Sequence, residues 1–273
     1  ISRIQNAFDT DKQYYTLLDK YNSGNKEPAF LKTMAEAALD GYDLKNAENI
    51  AKEYQATQKD LFTKENLLFI SRFMNSSEDE NFKIFIDNRE KVIAAIGKQD
   101  YDNKMTGIIM QEEVYPIVYA WGDEAPKTTI EELSASLKEK YPGFAEQILI
   151  TAKPLYYQKE KDWPKFKTAV DEYIKYNDGK VSPDMLNNFA WSVFLDCNDM
   201  ACVQQALAWS KKSFADSSNP MFMDTYANIL YKLGKKDEAI SWEQKALQLA
   251  ADADKKGYQE TINKMKAGEK TWN

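Results

Sequence analysis

The chain has 273 residues, 43% of them hydrophobic and 13% aromatic, with a net charge of −7; this is the composition of a folded protein and excludes general disorder. Nearly all basic residues are lysine, the only arginines being Arg3, Arg72 and Arg89, and that scarcity together with the acidic balance argues against nucleic-acid recognition. There is no histidine, which removes the commonest general base and zinc ligand, and no apolar run approaches the roughly 20 residues of a membrane span, so no membrane insertion is expected.

Strand signals are almost absent, and amphipathic stretches punctuated by Gly, Pro and Asn predict an all-α protein of antiparallel helical hairpins. A first helix is expected from about Asp11 to Tyr21, ended by Asn22-Ser23-Gly24-Asn25. A second starts near Pro28, a good first-turn residue, and carries Phe30, Leu31, Met34, Ala35 and Ala38 up to Gly41. The next shows Leu44, Ala47, Ile50, Ala51 and Tyr54; the alanines of this pair and Tyr54 read as a degenerate helical repeat. Helices follow near 64–75 and 79–96, and a long pattern from Tyr101 to Ala120 contains Pro116, where a kink or break is expected. Residues 1–122 thus form an irregular helical region, and the loop from Gly122 to Lys127 is the expected boundary to a second region, 128–273. Thr128-Thr129 before Glu131-Glu132 is a helix-start pattern, and Pro142-Gly143 stops that helix after Tyr141. A hairpin is expected over 144–177, with Phe144 to Lys159 and Pro164 to Tyr176 as its arms, followed by units at 183–217 and 220–250 and a capping helix near 252–265. The sequence opens Ile1-Ser2-Arg3 without an initiator methionine, as expected of a processed product or an excerpt from something longer.

The units at 183–217 and 220–250 repeat each other. Pro183 falls on Pro220, Phe189 on Tyr226 and Ala190 on Ala227, 37 residues apart; Ala206 and Trp209 fall on Ala239 and Trp242, 33 apart. The earlier unit therefore has four extra residues, expected in its internal turn. A helix–turn–helix repeat of roughly 34 residues is the signature of a tetratricopeptide solenoid, here predicted as right-handed. Tyr226, Ala227, Leu230, Ala239, Ala246, Trp209 and Trp242 are expected to pack. Two departures stand out: Cys197 replaces the turn glycine found at Gly234, and Glu243 stands where an aromatic is usual.

The segments Asn188–Phe194 (Asn-Phe-Ala-Trp-Ser-Val-Phe), Ala206–Ser213 and Asp224–Ala239 resemble the C-terminal helical region of bacterial thioredoxin-like proteins. In that family a thioredoxin domain, exported to the cell envelope, precedes a tetratricopeptide-like region. The resemblance covers about 183–265 and extends to Phe82–Gly97, through Phe-Ile-Asp-Asn-Arg-Glu-Lys. The redox motif Trp-Cys-x-x-Cys is absent, so the resemblance implies that redox chemistry would belong to an upstream segment, and it implies a periplasmic or cell-envelope location.

Catalytic signatures are missing. There is no Gly-rich phosphate loop or nucleophile elbow, no calcium-loop spacing among the carboxylate pairs, and no cofactor motif; the chain reads as non-catalytic. Cys197 and Cys202 are too widely spaced for a C-x-x-C redox pair. They read as two semi-buried thiols or as a local disulfide, which a turn permits and a continuous helix forbids. First helices of a solenoid line its concave side. By alignment this places Asn187, Asn188, Trp191 and Phe194, then Asp224, Asn228, Tyr231 and Lys232, in a polar–aromatic strip suited to a protein partner or extended peptide. The opposing reading is that helices fill this groove. Alternatives for the whole chain are a glycan- or small-ligand-binding solenoid, for which the six tryptophans and sixteen tyrosines are encouragement, and an enzyme with an unrecognised helical site.

Overall fold

A computed structural model of the chain describes residues 13–120, 122, 126–215 and 217–272. All regular structure among them is helical. The chain divides into two compact units, one ending at Glu112 and the other beginning at Glu113, ahead of the boundary expected from the sequence.

In the first unit, α1 (Tyr14–Asn22), α2 (Pro28–Asp40), α3 (Leu44–Ala56) and α4 (Lys64–Phe73) follow closely on one another. The part of the expected first helix at 11–12 lies outside the described residues. Starts are set by local chemistry: Pro28 opens α2, and the side chains of Asp43 and Thr63 accept the Asn46 and Asn66 amides at 3.2 and 3.3 Å. The α2–α3 hairpin closes on Ala35, Ala38, Ala47 and Ala51, all buried, because residues without bulk let two helix backbones approach.

The helix expected over 79–96 is two helices, α5 (Glu80–Asp87) and α6 (Arg89–Ile96), broken at Asn88. Asn88 leaves helical geometry (φ −115°, ψ 32°) and its Nδ2 donates to the Ile84 carbonyl at 3.0 Å. The Ile84 carbonyl thus accepts twice, from the Asn88 backbone N–H at 3.1 Å and from its side-chain amide, which holds the end of α5 at the break. Next, α7 (Lys98–Ile109) runs into a π-helical turn (Met110–Val114) and the short α8 (Tyr115–Val118). Pro116 therefore sits in a first helical turn, where its missing N–H costs nothing, and the wider π turn upstream relieves its ring of the usual clash.

The second unit continues through α9 (Ile130–Lys140), α10 (Ala145–Lys159), α11 (Trp163–Tyr176), α12 (Pro183–Asp196), α13 (Met200–Ser213), α14 (Pro220–Lys232), α15 (Lys236–Leu249) and α16 (Lys255–Ala267). The Thr129–Glu132 pair forms a reciprocal capping box at 2.8 and 3.2 Å. Asp162, Ser182, Asp199 and Asn219 cap the four helices that follow α10. Hairpins α10–α11, α12–α13 and α14–α15 stack, with α16 packed on the last.

Aromatic edges interlock across the stack. Phe166 meets Phe189 and Trp209 edge-on at 5.7 and 6.0 Å, and Trp242 meets Phe214 and Tyr226 at 5.4 and 5.3 Å. The indole N–H of Trp209 donates to Asp171 at 3.2 Å, tying α13 to α11. Withdrawing roughly 200 Å² of indole from water contributes at most about 5 kcal/mol.

The four extra residues of the earlier repeat are not in its turn. Three residues connect the arms in each case, 197–199 and 233–235. Instead α12 is one residue longer than α14, and α13 starts six residues before Ala206 where α15 starts three before Ala239. The additions lengthen the two helix ends that flank the turn and leave the aligned stretches of both arms, Pro183–Ala190 and Ala206–Trp209, uninterrupted.

Candidate functional site

The expected strip lies on α12 and α14, the first arms of the two repeats, which pack side by side. Equivalent residues recur 37 positions apart: Asn187 with Asp224, Trp191 with Asn228, Phe194 with Tyr231. Burial divides them. Asn188 is exposed, and Trp191, Asp224 and Tyr231 are half-buried. Asn187, Phe194, Asn228 and Lys232 are buried, so the eight residues do not line an open groove. The physical reason is that each first arm is closed over by a later segment of the same unit.

At the far end of the strip that segment is 268–272. Gly268, left-handed at φ 79°, ends α16, and the Glu269 amide returns to the Lys264 carbonyl at 2.9 Å. The chain then delivers Trp272 edge-on to Phe194 and to Tyr231, each at 6.1 Å. Trp191 extends the aromatic row, 4.9 Å from Phe194. Lys232 closes the seat: its ammonium lies 5.4 Å from the Trp272 ring and 5.7 Å from Phe194, and it donates to the Phe194 carbonyl at 2.6 Å. That carbonyl belongs to the last turn of α12, where unsatisfied oxygens attract a cation. Burial pushes the Lys232 pKa down, and the charge of nearby Asp196 opposes that shift. Trp272 carried no repeat signal; an isolated tryptophan just beyond a glycine-terminated capping helix was the available clue.

Asp224 and Asn228 belong to a different environment, between α14, α15 and α16. Asn228 Nδ2 donates to both the backbone and side-chain oxygens of Asp224 at 3.0 Å. Opposite lies Glu243, fully buried, whose carboxyl faces that of Asp224. Burial, then the neighbouring Asp224 charge, pushes the Glu243 carboxyl up to about 10, and burial raises Asp224 as well. Glu243 is therefore a neutral carboxylic acid at pH 7, filling a site where the repeat pattern places an aromatic. The Tyr258 phenol on α16 is also raised, by burial first and then by these carboxylates.

The cysteines flank the α12–α13 turn. Both thiols are free and buried. Cys197 points its sulfur at the Asp199 carbonyl and Cys202 at the Trp163 carbonyl, each at 3.8 Å. Burial and the adjacent Cys197 push the Cys202 thiol up to about 12, the opposite of an activated nucleophile. The local disulfide considered from the sequence is not formed.

Other candidates for chemistry are sparse. Among the described residues no group of three or more carboxylates and thiols is arranged to hold a metal ion, and no helix is long and apolar enough to cross a membrane. In the first unit, Lys104 lines a cleft of about 380 Å³ with Asn75, Asn103 and Gln111, and burial lowers its pKa. No carboxylate or second base lines that cleft to exchange a proton with it. The exposed tyrosines Tyr115 and Tyr119 are tilted by 52° rather than forming a flat platform of the kind that stacks on sugar rings. No protein-family model matches the chain, and no curated protein matches it either.

Proposed function

We propose that this chain is a non-catalytic, tetratricopeptide-like interaction region whose α12–α14 face receives an extended protein segment carrying an aromatic side chain. The observation that carries this reading is the seat of Trp272. A stretch of non-helical chain already lies against that face, with its indole edge-on to two aromatic rings and beside a buried lysine. A partner segment of the same chemistry would use the same contacts, and Trp191 and Asn188 would extend the surface. The strongly shifted Glu243 and Cys202 sit in packed interiors, and the raised Asp224 beside Glu243 is half-buried, which supports a structural rather than a chemical use for them.

The family resemblance of 183–265 adds a context: such a region would sit beside an upstream thioredoxin-like domain in the cell envelope, positioning it or docking its client. Affinity capture from the source cell tests the binding face. Trp272→Ala should increase partner recovery several-fold by vacating the seat, and Tyr231→Ala or Trp191→Ala should reduce it. Equal recovery by all three variants would reject the face as a binding site.

A further inference from the structure

A second surface of the same unit has the shape and charge of a binding groove. It lies over α10, between α9 and α11. Ala145, Leu149, Lys153 and Tyr157 follow one another at four-residue steps along α10 and form its floor. Side chains four apart share a helix face, and twelve residues at 1.5 Å each make that floor about 18 Å long. Toward the Tyr157 end the α9 wall is built from Ile130, Glu131, Ser134 and Ala135, so that end carries an acid and the lysines gather at the other. At its wide end the groove opens to about 700 Å³ over Leu149 and Ile150, beside the half-exposed ring of Tyr176.

The charges at that end are distributed in a way that selects an occupant. Lys138 on α9 and Lys175 on α11 face the opening from opposite walls, and neither has an ion-pair partner among the described residues. Lys153 on the floor shares Glu172 at 3.5 Å. Glu146, at the start of the floor, is the other acid there, so three lysines face two glutamates. In a chain of net charge −7 this is a locally positive rim around an apolar trough.

We propose that the α9–α10–α11 groove docks an acidic amphipathic helix of a partner protein. Its length suits about three helical turns, and its two helical walls offer the side-by-side packing that a further helix makes. Apolar residues at i, i+4 and i+7 of the partner would cover Leu149, Ile150 and Tyr176, while flanking carboxylates pair with Lys138 and Lys175 from both sides. This site is separate from the α12–α14 face and does not depend on that reading.

The test uses the full chain and a fluorescein-labelled 14-residue peptide with leucines at i, i+3, i+4 and i+7 and glutamates on their flanks, with a lysine-flanked peptide as its counterpart. Fluorescence anisotropy should show saturable binding of the acidic peptide only. The double variant Lys138→Glu, Lys175→Glu should weaken it at least tenfold and give measurable affinity to the lysine-flanked peptide. Ile150→Gln, at a half-buried position, should weaken it several-fold while circular dichroism stays unchanged. No saturable binding, equal binding of both peptides, or acidic-peptide binding indifferent to the double reversal would each overturn the proposal. So would dodecanoate binding that the variants abolish while the peptide fails to bind, since the groove would then take a small amphiphile.

Discussion

The two stacked hairpins α12–α13 and α14–α15 share a frame and differ in what they bury. The first hides two thiols at its turn; the second hides the Glu243 carboxyl, with half-buried Asp224 beside it. Their turns are equally short, yet Cys197 is extended (φ −92°) where Gly234 is left-handed (φ 80°). Repeat position thus dictates where a helix runs without dictating the polar content of its core. The thiols are nearly apolar and cost little to bury. The carboxyls are tolerated only because Glu243 keeps its proton.

The largest difference should come from the aromatic anchors. Trp209→Ala removes a buried indole, its two-helix contacts and the bond to Asp171, and is expected to cost about 4 kcal/mol in urea unfolding. Trp242→Ala, half-buried on α15, should cost about half as much. Equal losses would show that the two hairpins are anchored alike.

Next comes Glu243. Its folded pKa, about 10, lies above the ordinary glutamate value of 4.5. Between those values the unfolded chain gives up a proton that the folded chain retains, so stability falls as pH rises through that window and is highest below it. Glu243→Gln should remove this group's share of the slope and raise the stability at pH 8 by about 1–2 kcal/mol. Urea midpoints at pH 5 and pH 8 for both proteins check it; an unchanged slope would mean that Glu243 ionises freely.

The smallest effect concerns the turns. Gly234→Ala forces a side chain into left-handed backbone, with open space around it, and should cost about 1 kcal/mol. Because Cys197 is already extended, replacing it with Gly should bring no backbone relief, and the loss of its buried side chain should dominate. A stabilised Cys197→Gly protein would contradict the geometry described for that turn.

Much of the fold was legible locally. The Pro28, Pro183 and Pro220 starts, the Thr129–Glu132 box and the buried alanines of α2, α3, α14 and α15 follow from residue type and a four-residue period. The break at Asn88 is not legible because its apolar flanks continue the helical pattern, and only its backbone angles, φ −115° and ψ 32°, show it. The four extra residues of the earlier unit lie at the helix ends on either side of the turn, where a short helix end and a turn look alike in the sequence. Of the strip, Phe194, Tyr231 and Lys232 all meet Trp272, a covering residue that carries no local pattern.

What the sequence determined by itself is the set of helical arms, their caps, their pairing into hairpins and the small residues between them, since all of these depend on side chains a few positions apart. Which faces remain open was decided only by tertiary structure. Trp272 covers Tyr231 and Phe194 from 41 and 78 residues away, and Glu243 is neutral because α14 and α16 exclude water from it. Burial is a property of whatever remote segment arrives, and no local pattern contains it.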